Sequence, residues 1–219
     1  MILCIVSIFS EDNGDFLLTH NRDESRLRPF SDRIQTAEYH HKKWTGPVDL
    51  ISGGTWIYYS EKFAVCILNG GYLKHSHHPP YRMSRGLLIL ELLRYDSIDQ
   101  FTSLVDLEGI EPFTMMMLNL NSPEKKILVW DGSQRFVEDR SAEKLIVRSS
   151  TPLYTMEEKS NHFKSFEELG NPTPEKTFEL HDRLKMLPNN KFETVQTTSI
   201  TQISHRHHQT DLKFCPIPV

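Results

Sequence analysis

The sequence predicts an α+β fold in which antiparallel sheets carry helices on their outer faces. Short apolar strands come first, and two helices, more strands, two further helices and closing strands follow. Most neighbouring strands are separated only by short turns, and closely spaced strands form hairpins, which build antiparallel sheets. Strands and helices that are grouped in this way, rather than alternating one by one, are typical of the α+β class.

The first two strands are expected to form an N-terminal hairpin. Ile2 to Ser10 is rich in Ile, Val and Phe, and Glu11-Asp12-Asn13-Gly14 supplies turn residues. Asp15 to His20 then resumes the apolar character. The tetrapeptide Asn21-Arg22-Asp23-Glu24 follows this second strand, and it is interpreted as a polar strand end that is either a solvated turn or part of a site.

The next segment is expected to be irregular until a second group of strands begins. Residues 25–52 are polar, and the Arg28-Pro29 step disfavours a helix. Gly53-Gly54-Thr55-Trp56-Ile57 reads as a tight turn that enters a strand, and Glu61-Lys62 as a turn into the strand Phe63 to Leu68. Asn69-Gly70-Gly71 ends that strand, and a loop continues from Tyr72 to Met83.

The remaining elements are predicted from caps and periodicity. Helices are expected after the Ser84 cap, with Leu87 to Leu93, and over Ser97 to Val105, Thr155 to Leu169 and Pro174 to Met186, the last with Thr173 as its cap. Strands are expected at Phe113 to Leu120, Lys126 to Asp131, Arg135 to Glu138 and Leu145 to Arg148. Phe192 to Ser204 and Asp211 to Phe214 are expected to close the chain as a hairpin with His205-Arg206-His207-His208 at its tip.

Composition bounds the kind of protein. The 219 residues fit one domain spanning 1–219, and a net charge of −4 without a basic stripe argues against a nucleic-acid partner. Cys4, Cys66 and Cys215 form no CxxC pair, which favours a reducing, cytoplasmic setting. No apolar run approaches the roughly 20 residues that span a bilayer, so stable membrane insertion is not expected. Nothing in the sequence indicates an oligomeric state.

A thiol and a charged cluster on neighbouring strands suggest a catalytic site. A cysteine at a chain start can use its own α-amine as a base, and it then needs charged groups that orient it and a donor for the oxyanion. Arg22 and Asp23 lie on the strand that pairs with the strand of Cys4, and Asn69 has a suitable amide. The simpler interpretation of Cys4 is a small buried core residue.

These motifs together resemble the NRDE family, which includes the transport and Golgi organisation protein 2 homologues. The resemblance is carried by Cys4, Asn21-Arg22-Asp23-Glu24, Arg28-Pro29, Gly53-Gly54-Thr55-Trp56 and Asn69, with Ser84-Arg85-Gly86 further on, and it covers essentially the whole chain. It implies an N-terminal-nucleophile hydrolase fold, a four-layer αββα sandwich with two antiparallel sheets between helical layers. The choloylglycine and penicillin acylases are similar to this pattern.

The resemblance also implies a set of site residues. Cys4, Arg22, Asp23 and Asn69 match the catalytic positions of the acylases. Substrate-binding residues are expected at Trp56, at Arg85 beside a helix start, and in the loop that follows Asn69, with His75 and His77. The partner is then a small-molecule ligand or substrate. No cofactor and no metal ion is expected, because no Asp, Glu or Cys completes a recognised metal spacing with the histidine clusters.

Three departures from the acylase pattern bear on activity. Met1-Ile2-Leu3 precedes Cys4, so the cysteine amine is free only if these residues are removed. Ser149-Ser150-Thr151 stands where the acylases carry a second Asn, and Gln196-Thr197-Thr198 stands where an Arg is common.

Three functions therefore stay open at this point. One is a cysteine amidohydrolase or acylase acting on a small amide or acyl substrate. Another is a non-catalytic protein that binds or traffics haem, acyl-CoA or lipid. The last is an interaction scaffold.

Overall fold

Antiparallel pairing organises both sheets of the protein. The computed structural model describes residues 3–151, 154–188 and 194–217. The chain divides into two compact units, a terminal unit of Met1–Arg28 with Ala142–Val219 and a central unit of Pro29–Ser141. Each unit holds one antiparallel sheet, of five and of seven strands. The predicted α+β class with two antiparallel sheets is confirmed.

The described residues form twelve strands and four short α-helices. The strands are β1 (Leu3–Ser10), β2 (Phe16–Ser25), β3 (Gln35–Tyr39), β4 (Lys42–Gly46), β5 (Ile57–Ser60), β6 (Phe63–Asn69), β7 (Phe113–Asn119), β8 (Lys125–Trp130), β9 (Arg135–Asp139), β10 (Leu145–Ser149), β11 (Val195–Arg206) and β12 (Gln209–Pro216). The helices are α1 (Arg85–Leu88), α2 (Ile98–Leu104), α3 (Met156–Glu167) and α4 (Pro174–Arg183), and a 3₁₀ helix, Ile89–Arg94, continues α1.

The terminal unit places its helices on one face of its sheet. The strand order is β10-β1-β2-β11-β12, so β2 lies in the middle. Ile5 and Val147 from the sheet pack with Phe166 of α3 and Leu180 of α4. The helices begin at good caps, because Thr155 forms a capping box with Glu158 and Thr173 precedes a proline at the first turn of α4. Ile5, Ser7 and Asn21 therefore lie on the helix-covered face.

The central unit is a meander of seven strands in chain order from β3 to β9. Its helices also lie along one face of the sheet. The Tyr58 hydroxyl donates to the backbone carbonyl of Ile89 at 3.2 Å, and the Tyr39 hydroxyl donates to the Glu91 carboxylate. Lys126 of β8 pairs with Asp99 of α2 on the same face.

Three predicted elements need correction. The segment 25–52 is not irregular throughout, because β3 and β4 form a hairpin there. Asn21-Arg22-Asp23-Glu24 does not follow a strand, because β2 runs through it to Ser25. Only Arg85–Leu88 of the first predicted helix is α-helical, and its apolar remainder is a 3₁₀ helix. Phe192, the predicted start of the last hairpin, lies outside the described residues.

The turns of two hairpins hold pairs of histidines in the left-handed region. His40 and His41 join β3 to β4 with φ of 47° and 62°, and His207 and His208 join β11 to β12 with φ of 51° and 63°. Two-residue hairpin turns with both central φ values positive normally carry Asn-Gly, since side chains with a bulky Cβ are strained there.

Among the described residues, no helix has the length and hydrophobicity that crossing a bilayer requires.

Replacing His40-His41 by Asn-Gly should stabilise the central unit. We expect the free energy of unfolding to rise by about 1–2 kcal/mol, because the new pair adopts the turn without the strain that two histidines carry. Urea unfolding of the two proteins measures the difference.

The Glu61-Lys62 turn between β5 and β6 offers a matched control. Neither residue has a positive φ, so Asn-Gly at this turn relieves no strain and the glycine adds conformational entropy to the unfolded chain. Equal stabilisation by the two replacements would contradict the assignment of strain to the histidine turn.

Candidate active site

The cysteine and the charged tetrapeptide face each other across β1 and β2. Cys4 pairs with Arg22, and Leu3 pairs with Asp23. All four residues from Asn21 to Glu24 are buried, with exposed fractions of 0–2 %. Side chains alternate along a strand, so Arg22 shares a face with Cys4, while Asn21 and Asp23 lie on the face that carries α3 and α4. The sequence prediction that Arg22 and Asp23 lie on the strand paired with that of Cys4 is correct.

Asn21 connects β2 to helix α4 through a histidine. Its Nδ2 donates to the backbone carbonyl of His181 at 2.9 Å, and its Oδ1 lies 2.8 Å from His181 Nδ1. Since Oδ1 can only accept, the proton is on Nδ1, and Nε2 then accepts from the Ser7 hydroxyl at 2.8 Å. Burial, together with the nearby His20 and His162, lowers the pKa of His181 to about 3, so the ring is neutral. Asn21 therefore connects β2 to α4, and the interpretation of the tetrapeptide as a solvated turn is wrong.

Asp23 is a buried acid with two hydroxyl donors. The Tyr154 hydroxyl donates to Oδ2 at 3.1 Å, and the Thr197 hydroxyl donates to Oδ1. Thr197 Oγ1 also accepts from the backbone N–H of Met186 at 2.8 Å. Burial raises the pKa of Asp23 to about 7, although both hydroxyl donors act to lower it. Such a carboxyl can gain or lose a proton near neutral pH, which is the behaviour that acid–base chemistry requires.

Arg22 is held from β11. Its Nη1 donates to Thr198 Oγ1 at 2.9 Å, and the Thr198 hydroxyl donates in turn to the Arg22 carbonyl at 3.1 Å. The register between β2 and β11 shifts between Thr197 and Ser199, which is a β-bulge at Thr198. Thr197 thus contacts Asp23 and Thr198 contacts Arg22, which point to opposite faces of the sheet.

Cys4 is a neutral thiol in this chain. It is fully buried, and burial raises its pKa well above the ordinary value. The carboxylate of Asp23 raises the pKa further, while a backbone hydrogen bond at Asp23 and the charge of Arg22 lower it. Glu24 accepts from the Ser25 N–H at 2.7 Å and lies 3.8 Å from the Arg28 guanidinium. Glu24 thus belongs to the end of β2 rather than to the thiol's own hydrogen bonds.

The other predicted site residues lie in the central unit. Asn69 ends β6, is 4 % exposed, and its Nδ2 finds no hydrogen-bond partner among the residues that the structure describes. Trp56 is buried and packs edge-to-face on Phe30. The roles predicted for Asn69 and Trp56 stay predictions.

Arg85, His75 and His77 meet at a single carboxylate. Glu111 lies 2.8 Å from Arg85 Nη2, 2.9 Å from His77 Nδ1 and 3.4 Å from His75 Nε2. Desolvation raises the pKa of Glu111, but the charge of Arg85 and the hydrogen bonds from the two histidines outweigh it and leave that pKa lowered. Three of the four predicted substrate-binding residues thus surround an acid that sequence reasoning did not single out. In residues 3–151, 154–188 and 194–217, no three His, Cys, Asp or Glu side chains are arranged to hold a metal ion.

Sequence reasoning also missed the hydroxyl groups around Arg22 and Asp23. Tyr154, Thr197 and Thr198 come from other parts of the chain, and no local pattern marks them. The available signal was the polar run Gln196-Thr197-Thr198-Ser199 in a strand whose apolar residues are Val195, Ile200 and Ile203.

Comparison with known proteins identifies the family of the chain. Residues 1–217 match the profile of the family described as Transport and Golgi organisation 2. The chain belongs to the Transport and Golgi organisation 2 family. No curated protein matches the sequence significantly.

A solved structure shows the same fold as this family member. The chain is similar to penicillin V acylase from Agrobacterium tumefaciens, with a TM-score of 0.60 and 8 % sequence identity. The match covers 96 % of this chain and 82 % of the acylase. At this identity the likeness concerns the fold alone, and it confirms the N-terminal-nucleophile hydrolase fold expected from the motifs.

Replacing Asp23 by Asn should change how stability depends on pH. The pKa of Asp23 is about 7 in the folded protein and near 3.8 when unfolded, so the folded state binds the extra proton between these values. The contribution of Asp23 to stability should therefore be largest at acid pH and fall as pH rises toward 7. Relative to the Asn variant, the wild type should lose on the order of 2–4 kcal/mol between pH 4 and pH 8, measured by urea unfolding.

Asp139 serves as the control for this measurement. Hydrogen bonds from Ser141 lower the pKa of Asp139, so its contribution is complete above about pH 4. The unfolding free energies of Asp139→Asn and of the wild type should run parallel from pH 4 to pH 8. Parallel curves for Asp23→Asn as well would show that Asp23 titrates normally.

Proposed function

We propose that the protein is a cysteine amidohydrolase of the N-terminal-nucleophile type that acts on a small amide or acyl substrate. The observation that carries the proposal is the pairing at the start of β1. Cys4 faces Arg22, and the position directly before Cys4 faces Asp23. A chain that begins at Cys4 would therefore have its α-amine beside a carboxyl whose pKa is about 7. The acylase-like fold and the family membership support the proposal.

The residues can be given specific steps. The α-amine of Cys4 takes the thiol proton, and Sγ attacks the carbonyl carbon of the substrate to form a C–S bond. The C–N bond then breaks, and the leaving amine receives the proton. The α-amine of Cys4 then deprotonates a water molecule, which attacks the thioester. This releases a carboxylic acid, and the α-amine returns the proton to give the free thiol of Cys4. Arg22 and Asp23 orient the amine and the thiol, and the oxyanion requires a hydrogen-bond donor, the role that the sequence predicts for Asn69.

The burial of Cys4 makes removal of the preceding residues a requirement. In the present chain the Cys4 nitrogen is part of a peptide bond with Leu3, which continues β1. The thiol of that form is buried and its pKa is raised, so it is a poor nucleophile at neutral pH. Activity should thus distinguish sharply between a chain that starts at Cys4 and a chain that retains Leu3.

A chain prepared to begin at Cys4 should be acylated on that residue. We expect a short-chain acyl p-nitroanilide to release p-nitroaniline with this form, and intact-mass analysis to show a transient acyl adduct on Cys4. Replacing Cys4 by Ala should reduce the rate at least 10³-fold, which is on the order of the loss that follows removal of a covalent nucleophile.

Cys66 and Cys215 provide the controls. All three cysteines carry free thiols, Cys66 buried and Cys215 exposed. Cys66→Ala and Cys215→Ala should leave turnover unchanged. A chain that begins at Cys4, folds, and shows no adduct and no turnover with several acyl groups would overturn the amidohydrolase proposal.

The buried thiol of the unprocessed chain favours a second candidate function. If Leu3 stays in place, the same fold would hold a small ligand without chemistry, and the family resemblance suggests haem, acyl-CoA or lipid. Titration of the unprocessed protein with haem, followed by absorbance, and thermal shift with acyl-CoA test this candidate.

The three free thiols also support a cytoplasmic location, since a reducing compartment keeps thiols unpaired.

A further inference from the structure

Four buried side chains form a row across the sheet of the terminal unit. Cys4 pairs with Arg22, and Arg22 pairs with Ser199. Ser150 directly follows β10, and its N–H donates to the Cys4 carbonyl at 3.0 Å, which extends the β1–β10 register by one residue. Side chains at paired positions point to the same face of an antiparallel sheet. We call Ser150, Cys4, Arg22 and Ser199 the nucleophile row.

The two hydroxyls in the nucleophile row have no protein partner. Ser150 is 2 % exposed and Ser199 is 0 % exposed, and within the described part of the chain neither Oγ makes a hydrogen bond. A buried hydroxyl without a partner has lost its hydration and gained nothing in return. By contrast, the hydroxyls of Thr197, Thr198 and Ser149 around the row are all hydrogen-bonded.

We propose that Ser150 and Ser199 bind an oxygen-bearing acyl group of the substrate. The proposal rests on the proposed function, because it assigns these hydroxyls to the substrate of Cys4. They lie on either side of the Cys4–Arg22 pair, so a group bonded to the attacked carbonyl would meet one or both. Hydroxyl and guanidinium hydrogens favour acceptor oxygens. The substrate class is therefore an amide whose acyl part carries a carboxyl or hydroxyl oxygen, in preference to a plain hydrocarbon chain.

The chemistry of the row supports an acceptor-rich group. With the thiol neutral, the charged member of the row is the cationic Arg22, and Asp23 points to the opposite face of the sheet. A hydrocarbon chain placed here would leave both hydroxyls unpaired in the complex, and sites with buried polar groups reject analogues that cannot pair with them. This is the physical basis for selectivity.

Two matched acyl groups test the selectivity directly. Succinyl and 4-methylpentanoyl have nearly the same shape, but the first ends in a carboxylate and the second in two methyl groups. With the chain that begins at Cys4, the succinyl p-nitroanilide should have the larger kcat/KM. Ser150→Ala and Ser199→Ala should each reduce the ratio of the two kcat/KM values about tenfold, and the double variant should reduce it further.

The stability of the same variants separates a binding role from a structural one. Removing an unpaired buried hydroxyl should leave the Tm unchanged or raise it, while a structural role would lower it. Thr177 on α4 is the matched control, because it is fully buried and its Oγ1 also has no partner in the described ranges. Thr177→Val should match the serine variants in Tm and leave the selectivity ratio at its wild-type value.

Binding of the two acyl groups can also be compared in a protein that cannot turn them over. In the Cys4→Ala protein with its full chain, succinamic acid should raise the Tm more than 4-methylpentanamide does, and the two serine replacements should abolish that difference. No turnover by any form contradicts the proposed function but leaves this comparison intact. Equal effects of the two amides, or an unchanged preference in the double serine variant, would show that the hydroxyls do not bind substrate.

Discussion

Strand β2 carries four polar side chains in a row, and all four are shielded from water. Asn21, Arg22, Asp23 and Glu24 are all buried in the middle of the five-stranded sheet. Burying such groups is unfavourable unless each finds a partner, at a cost of about 1–3 kcal/mol for a neutral group and more for a charged one. The rest of the terminal unit can be understood as the set of partners that this strand requires.

The partners come from three separate elements. Helix α4 supplies His181 to Asn21, and the segment before α3 supplies Tyr154 to Asp23. Strand β11 supplies Thr197 to Asp23 and Thr198 to Arg22, on opposite faces of the sheet. The helices are therefore positioned by polar contacts to β2 as well as by the apolar packing of Ile5, Phe166 and Leu180. A candidate site built in this way has little freedom to rearrange, which suits pre-organised chemistry.

Local pattern predicted more of the fold than of the site. The Glu11 to Gly14 turn places Arg22 opposite Cys4, because a hairpin turn determines the register of its strands. The partners of Asp23 could not be predicted in this way, since Tyr154 lies 131 residues from it and Thr197 lies 174 residues away. The sequence did not predict the β3–β4 hairpin, although its two strands are adjacent in the chain. Its turn is His40-His41, and this pair carries none of the usual sequence signals of a turn with left-handed residues.

Asp23 of β2 and His181, which is hydrogen-bonded to β2, have opposite effects on the number of protons taken up on unfolding. Between about pH 4 and pH 6.5, Asp23 holds a proton in the folded state that it releases on unfolding, whereas His181 takes one up when it reaches water. The two exchanges nearly cancel, so unfolding of this network draws few net protons from the solvent over that range. The polar strand thereby compensates its buried acid with a buried base, and the folded state is buffered against acidification without any ion pair between the two.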